Sequence, residues 1–252
     1  MDQKKIDDIF RNIRFGVDYY PEHWPRERWE QDANLMQKMG IQVVRMGEFS
    51  WHKMEPEQGK FDFEWLVDAA DLLGQHGIYT ILGTPTAAPP AWIIEQNPEI
   101  LPVNSNGQRM SFGGRHHDCQ SNRTYREHIR RFVTAMAERF KDHPYVIGWQ
   151  IDNELGNSHE DLCMCDSCRK AFQEWLQKKY HTIECLNKEW GTGFWSQDYD
   201  RFDQIPVPRK APTLHNPSLL LDFKRFCSDL VVDFQNFQID LIRQIAPHQK
   251  IT

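Results

Sequence analysis

Tyr145-Val146-Ile147-Gly148-Trp149-Gln150-Ile151-Asp152-Asn153-Glu154 (residues 145–154) is the stretch on which the reading of this 252-residue chain turns. Its first seven residues, Tyr145 to Ile151, are mostly apolar without polar alternation. Such a run reads as a strand buried on both faces, as in a parallel sheet covered by helices. Three polar side chains, Asp152, Asn153 and Glu154, then crowd its C-terminal end.

The pattern on either side supports that reading. Just before it, Arg126 to Phe140 carries Ile129, Phe132, Val133, Met136, Ala137 and Phe140 at steps of three and one, the spacing of one buried helical stripe. Further back, Phe15 to Tyr20, Val43 to Gly47 and Tyr79 to Thr84 read as strands. Two helices separate them: Trp29 to Met39, with Trp29, Ala33, Met36 and Met39 near one face, and Trp65 to His76, with Trp65, Ala69, Leu72 and Leu73. Gly40 and Gly77 stop these two helices. Beyond 154 the sequence predicts a helix from about Arg169 to Tyr180, an irregular stretch rich in Trp and Gly, and a long helix from Ser218 to Ile245. Lys250 to Thr252 opens a fifth strand. Strand and helix alternate without a hairpin signal, which predicts parallel βαβ units. Residues 1–252 thus read as the N-terminal half, about four βα units, of an α/β (β/α)8 barrel, with no second domain. A doubly wound sheet would want a Gly-x-Gly-x-x-Gly after its first strand, and none is there.

Composition sets outer limits. A formal net charge of −6 and no long basic run argue against a nucleic-acid partner. No apolar run approaches 18 residues, so no membrane span is predicted. The polar opening MDQKKIDDIF lacks the apolar core of a secretory signal, which points to the cytoplasm and to reduced thiols.

In a barrel the C-terminal ends of the strands form the active-site face. An Asn-Glu pair there suits sugar chemistry: the Glu can protonate a glycosidic oxygen and later deprotonate water, while the Asn holds the sugar 2-hydroxyl. An isolated Asn-Glu could equally be a cap or a solvated loop acid. Nine Trp fit the sugar reading, since indole stacks well on a sugar ring, although part of them belongs to the core. Glu48, at the tip of the second strand, either faces the same pocket or pairs with Arg45. Arg115 read alone is a loop salt bridge.

The stretches FGVDYYPEHW (15–24), VVRMGEFSWHKMEPEQGKFDFEWL (43–66), GTPTAAPPAW (83–92), RHHDCQSNRTYR (115–126) and WQIDNE (149–154) together resemble glycoside hydrolase family 42, the β-galactosidases, over nearly the whole chain. The resemblance implies retaining hydrolysis of terminal β-galactosides. It assigns Glu154 as proton donor, with Asn153 and Arg115 binding the galactoside. The nucleophile is then a Glu of a later strand, beyond Thr252. The stretch alone, an open half-barrel, is expected to be poorly soluble and inactive, and the full-length protein to be a homotrimer.

Four of the six cysteines form a pattern: Cys119, then Cys163, Cys165 and Cys168 in CMCDSC. Spacings of one and two residues allow three sulfurs to converge on one ion, with a fourth from the neighbouring loop. A redox pair or unrelated thiols are the alternatives. The resemblance implies a zinc ion with four Cys ligands and no open position, hence structural. Cys185 and Cys227 read as core residues. Three rival functions remain. A metal-dependent hydrolase barrel lacks a His-x-His closing the first strand. A zinc-stapled sugar-binding module would not need Glu154. A retaining glycosidase for another sugar would keep every feature named here.

Overall fold

The computed structural model describes residues 3–156 and 162–252. The chain forms two compact units, Met1–Gln96 with Glu127–Leu155 and Gln235–Thr252, and Asn97–Arg126 with Gly156–Phe234.

The first unit holds the sheet. Its strands β1 (Gly16–Asp18), β2 (Val43–Met46), β3 (Tyr79–Gly83), β4 (Val146–Gln150) and β5 (Lys250–Ile251) lie side by side in chain order, every pair parallel. That order, with helices between strands, is that of a (β/α)8 barrel in part. β4 is buried along its apolar length, as its uninterrupted composition predicts. β1 is shorter than the expected Phe15–Tyr20 and its residues are exposed, because it is an edge strand paired on one side only.

The helices follow the sequence pattern with local shifts. α1 (Gln3–Phe10) precedes β1, and α2 (Arg26–Lys38) buries Trp29, Ala33 and Met36. Met39, expected on the same face, is 75% exposed. It is the C-terminal cap of α2, still helical itself (φ −79, ψ −7), just before the left-handed Gly40 (φ 77) that ends the helix. A single turn, α3 (Trp51–Met54), leads to α4 (Glu64–Gln75), whose buried stripe runs through Leu66, Ala69, Ala70 and Leu73 rather than from Trp65. α5 (Ala91–Gln96) is a further short helix. α6 (Arg123–Phe140) buries all six predicted apolar residues completely. Its Phe132 ring sits 4.7 Å from Trp51 and 5.9 Å from Phe63, at the centre of the core.

In the second unit α7 (Asp166–Tyr180) and α8 (Ile183–Trp190) pack around Phe172, Leu176, Trp190 and Phe223. α8 occupies what the sequence suggested was irregular. Its signals are brief: Thr182 caps it by accepting from the Cys185 N–H, and Gly191 ends it in a left-handed turn (φ 62). Cys185 is therefore exposed in the first turn of α8, not in a core. The long α9 (Pro217–Ile245) follows and leads to β5. None of the helices described is long and apolar enough to cross a membrane.

Candidate active site and metal centre

The tip of β4 is built by hydrogen bonds rather than by apolar packing. Asp152 and Asn153 are buried, at 3% and 6% exposure, whereas Glu154 is exposed. Asp152 (φ 59) and Glu154 (φ 52) both adopt the left-handed conformation, which non-glycine residues hold at a cost of about 1–3 kcal/mol each. Such strain persists only where the surroundings fix it. The Asp152 N–H donates to Thr84 Oγ1 (2.7 Å), and its carbonyl accepts from Gln150 Nε2 (3.1 Å). Its carboxylate accepts from Thr86 Oγ1 (2.5 Å) and from the Asn153 N–H (2.6 Å). Burial lifts the Asp152 carboxyl to about 6, against the opposing pull of these two donors.

Glu48 is completely buried. It pairs with Arg45 (3.0 Å) and accepts from the Tyr20 hydroxyl (2.9 Å). Arg45 also reaches Asp18 (3.0 Å) and donates to Gln150 Oε1 (2.8 Å). The ion pair read from the sequence is present, and it extends as a chain from β1 through β2 to the β4 tip. Burial pushes the Glu48 carboxyl up, an effect that Arg45 and Tyr20 oppose, and it pushes Tyr20 up to about 12. The close packing at this point depends on Gly83. A β-carbon there would lie 2.4 Å from Glu48 Cβ.

Arg115 belongs to the second unit, is exposed, and lines a cavity of about 290 Å3 with Met110, His116, His117, Cys163 and Cys227. Asn153 and Glu154 belong to the first unit. Cys227 is half-buried on α9, where burial raises its thiol to about 12.

The four patterned cysteines do converge. Their sulfurs all lie within 4.8 Å of one another, and Cys119 Sγ is 3.4 Å from both Cys165 Sγ and Cys168 Sγ. These separations far exceed a disulfide bond of about 2.05 Å, and all six cysteines are free. A tetrahedral thiolate shell with metal–sulfur bonds of about 2.3 Å places its sulfurs roughly 3.8 Å apart. The observed separations, from 3.4 Å up to at most 4.8 Å, bracket that value, so this is a group able to hold a metal ion. The backbone prepares it: Cys165 caps α7, and the Met164 N–H and carbonyl are tied to Val103 (2.8 Å) and Arg209 (2.7 Å). Hydrogen bonds from Cys119, then Cys163 and Cys168, hold the Cys165 thiol well below its usual range.

Parallel strands in chain order with helices between them mark part of a (β/α)8 barrel. Comparison with known proteins narrows this. A family model described as β-galactosidase of glycoside hydrolase 42 matches residues 18–252. A β-galactosidase of Thermus thermophilus is 47% identical over 237 residues, covering 94% of this chain and 37% of that protein. The β-galactosidase Bga of Halorubrum lacusprofundi is 46% identical over 240 residues, 95% of this chain and 34% of its own length. The crystal structure of a β-galactosidase from the psychrophilic Marinomonas ef1 superimposes with a TM-score of 0.92 at 46% identity, over 95% of this chain and 36% of that one. The chain belongs to glycoside hydrolase family 42. It spans about a third of the length of these relatives.

The sequence did not reveal the role of Asp152, Thr84 and Thr86. The one signal it held was Thr84-Pro85-Thr86 directly after a strand, a place where hydroxyls face the same barrel end as the neighbouring strand tip.

Proposed function

We propose that this chain supplies the acid/base half of a retaining β-galactosidase, which removes terminal non-reducing β-galactose residues. The observation that carries the reading is an Asn153-Glu154 pair at the C-terminal tip of the fourth parallel strand, in a chain of this family. Glu154 protonates the glycosidic oxygen as its bond to the anomeric carbon breaks, the electron pair leaving with that oxygen. A second carboxylate, from outside these residues, bonds to the anomeric carbon and should stand roughly 5–5.5 Å from Glu154. Glu154 then takes a proton from the water that releases galactose. Asn153 holds the 2-hydroxyl, and Arg115 contacts the galactoside. Cys119, Cys163, Cys165 and Cys168 hold a Zn2+ ion with all four positions filled, a structural role.

The test uses the full-length enzyme and its Glu154→Gln variant on a panel of aryl glycosides. Turnover of the phenyl galactoside should fall by about 10²–10⁴-fold in the variant, the usual contribution of a general acid. Unchanged turnover would leave the sugar-binding-module reading in its place, and a preference for another aryl glycoside would move the specificity. The 252-residue chain alone should show no turnover, and normal activity from it would refute the assignment of the nucleophile to the rest of the protein.

A further inference from the structure

The backbone just before the proposed acid/base is held by a buried residue, Asp152. Left-handed residues flank Asn153 on both sides. Asp tolerates this conformation through local hydrogen bonding, but Glu has no such tolerance. Asp152, two residues before Glu154, has every polar group engaged. Thr84 and Thr86, just beyond β3, hold its N–H and its carboxylate, and Gln150 holds its carbonyl. Thr86 is itself bonded to Gln238 Nε2 of α9 (3.2 Å), and Gln150 is anchored by Arg45 of β2 (2.8 Å). Three neighbouring elements therefore converge on this one turn. A buried carboxylate placed there for packing alone would be a poor choice, since an amide or apolar residue avoids the desolvation.

We propose that Asp152 is a positioning residue for glycoside cleavage: by locking the left-handed turn, it sets the direction in which Glu154 delivers its proton to the leaving oxygen. This rests on the acid/base reading of Glu154.

The experiment measures kcat/KM of the full-length enzyme across aryl β-galactosides from dinitrophenyl to phenyl. Dinitrophenolate leaves without protonation and phenolate does not, so loss of proton delivery steepens the leaving-group dependence, whereas general damage lowers every substrate alike. Asp152→Asn should lose about a hundredfold on the phenyl substrate and only a few-fold on the dinitrophenyl one. A uniform loss, or none, while Glu154→Gln shows the steep dependence, would overturn the inference and leave the acid/base reading intact. If Glu154→Gln itself shows no steepening, the acid/base reading fails and this one with it. Thr86→Val and Thr86→Ser decide the matter even if Asp152→Asn does not fold. Valine should reproduce the steepening, serine should restore the wild-type slope, and identical slopes for the two would refute the role.

Discussion

Replacing Gly83 with alanine tests whether the strand-tip packing is as tight as described. Gly83 ends β3 in register with Gln150 of β4. An added β-carbon would sit 2.4 Å from Glu48 Cβ, 3.0 Å from Glu48 Cα and 3.1 Å from Glu48 N. Two of those three atoms are backbone, so no rotamer change relieves the contact. The segment must move by about an ångström to reach ordinary van der Waals separation. It hangs from Gly47, whose φ of 97 turns Glu48 beneath the β3 tip. Overpacking of this kind costs about 1–3 kcal/mol, and disturbing the buried partner of Arg45 adds toward the 3–5 kcal/mol seen when such pairs break. A combined loss of about 3–5 kcal/mol is expected. Urea and thermal unfolding of the full-length enzyme measure it, beside Gly113→Ala, where an added β-carbon meets nothing within 4 Å. If Gly83→Ala unfolds within about 0.5 kcal/mol of the Gly113→Ala control, the close approach is soft and the reasoning is wrong.

The metal centre predicts that the purified full-length protein carries about one equivalent of zinc, and that Cys119→Ser loses it. Elemental analysis and thiol titration before and after chelation check this, and a metal content unchanged in the variant would exclude Cys119 as a ligand. Asp152 predicts a pH effect on stability. Its carboxyl is raised from 3.8 to about 6 in the fold, so its contribution is fully present below the unfolded value and lost as pH rises through 6. Wild type should therefore lose roughly 3 kcal/mol relative to Asp152→Asn between pH 4 and 7, given about 1.4 kcal/mol for each tenfold change. Parallel unfolding curves for the two proteins across that range would show that the carboxyl titrates normally.

Much of the fold was legible because the strongest signals in the sequence are packing signals. The stripe of α6 and the apolar run of β4 each have one geometric solution, and both lie where the pattern put them. Met39 and the stripe of α4 slipped because a helix end, or a one-residue rotation, changes exposure without changing composition. α8 escaped because eight residues carry too few periods to stand out, although its Thr182 cap and Gly191 stop were in plain view. At the site, Glu154 and the cysteines were legible as chemical types at telling positions. The ties of Asp152 were not, since Thr86 stands 66 residues from it and is bonded in turn to Gln238 of α9, and only the folded chain brings the three together. Cys185 was misread for a similar reason: burial of a thiol depends on which turn of which helix carries it.

The four-sulfur cluster also bears on how the second unit is assembled. That unit is made of two stretches of chain, 97–126 and 156–234, and the cluster takes one ligand from the first and three from the second. Bringing Cys119 to Cys168 closes a loop of 49 residues, which opposes assembly by about 3–4 kcal/mol. A structural thiolate site binds its metal with on the order of 10 kcal/mol or more. An ion held by the four sulfurs would thus act as a cross-link between distant stretches, as a disulfide does in a secreted domain. Unlike a disulfide, such a cross-link would need no oxidant to form, and a chelator would undo it.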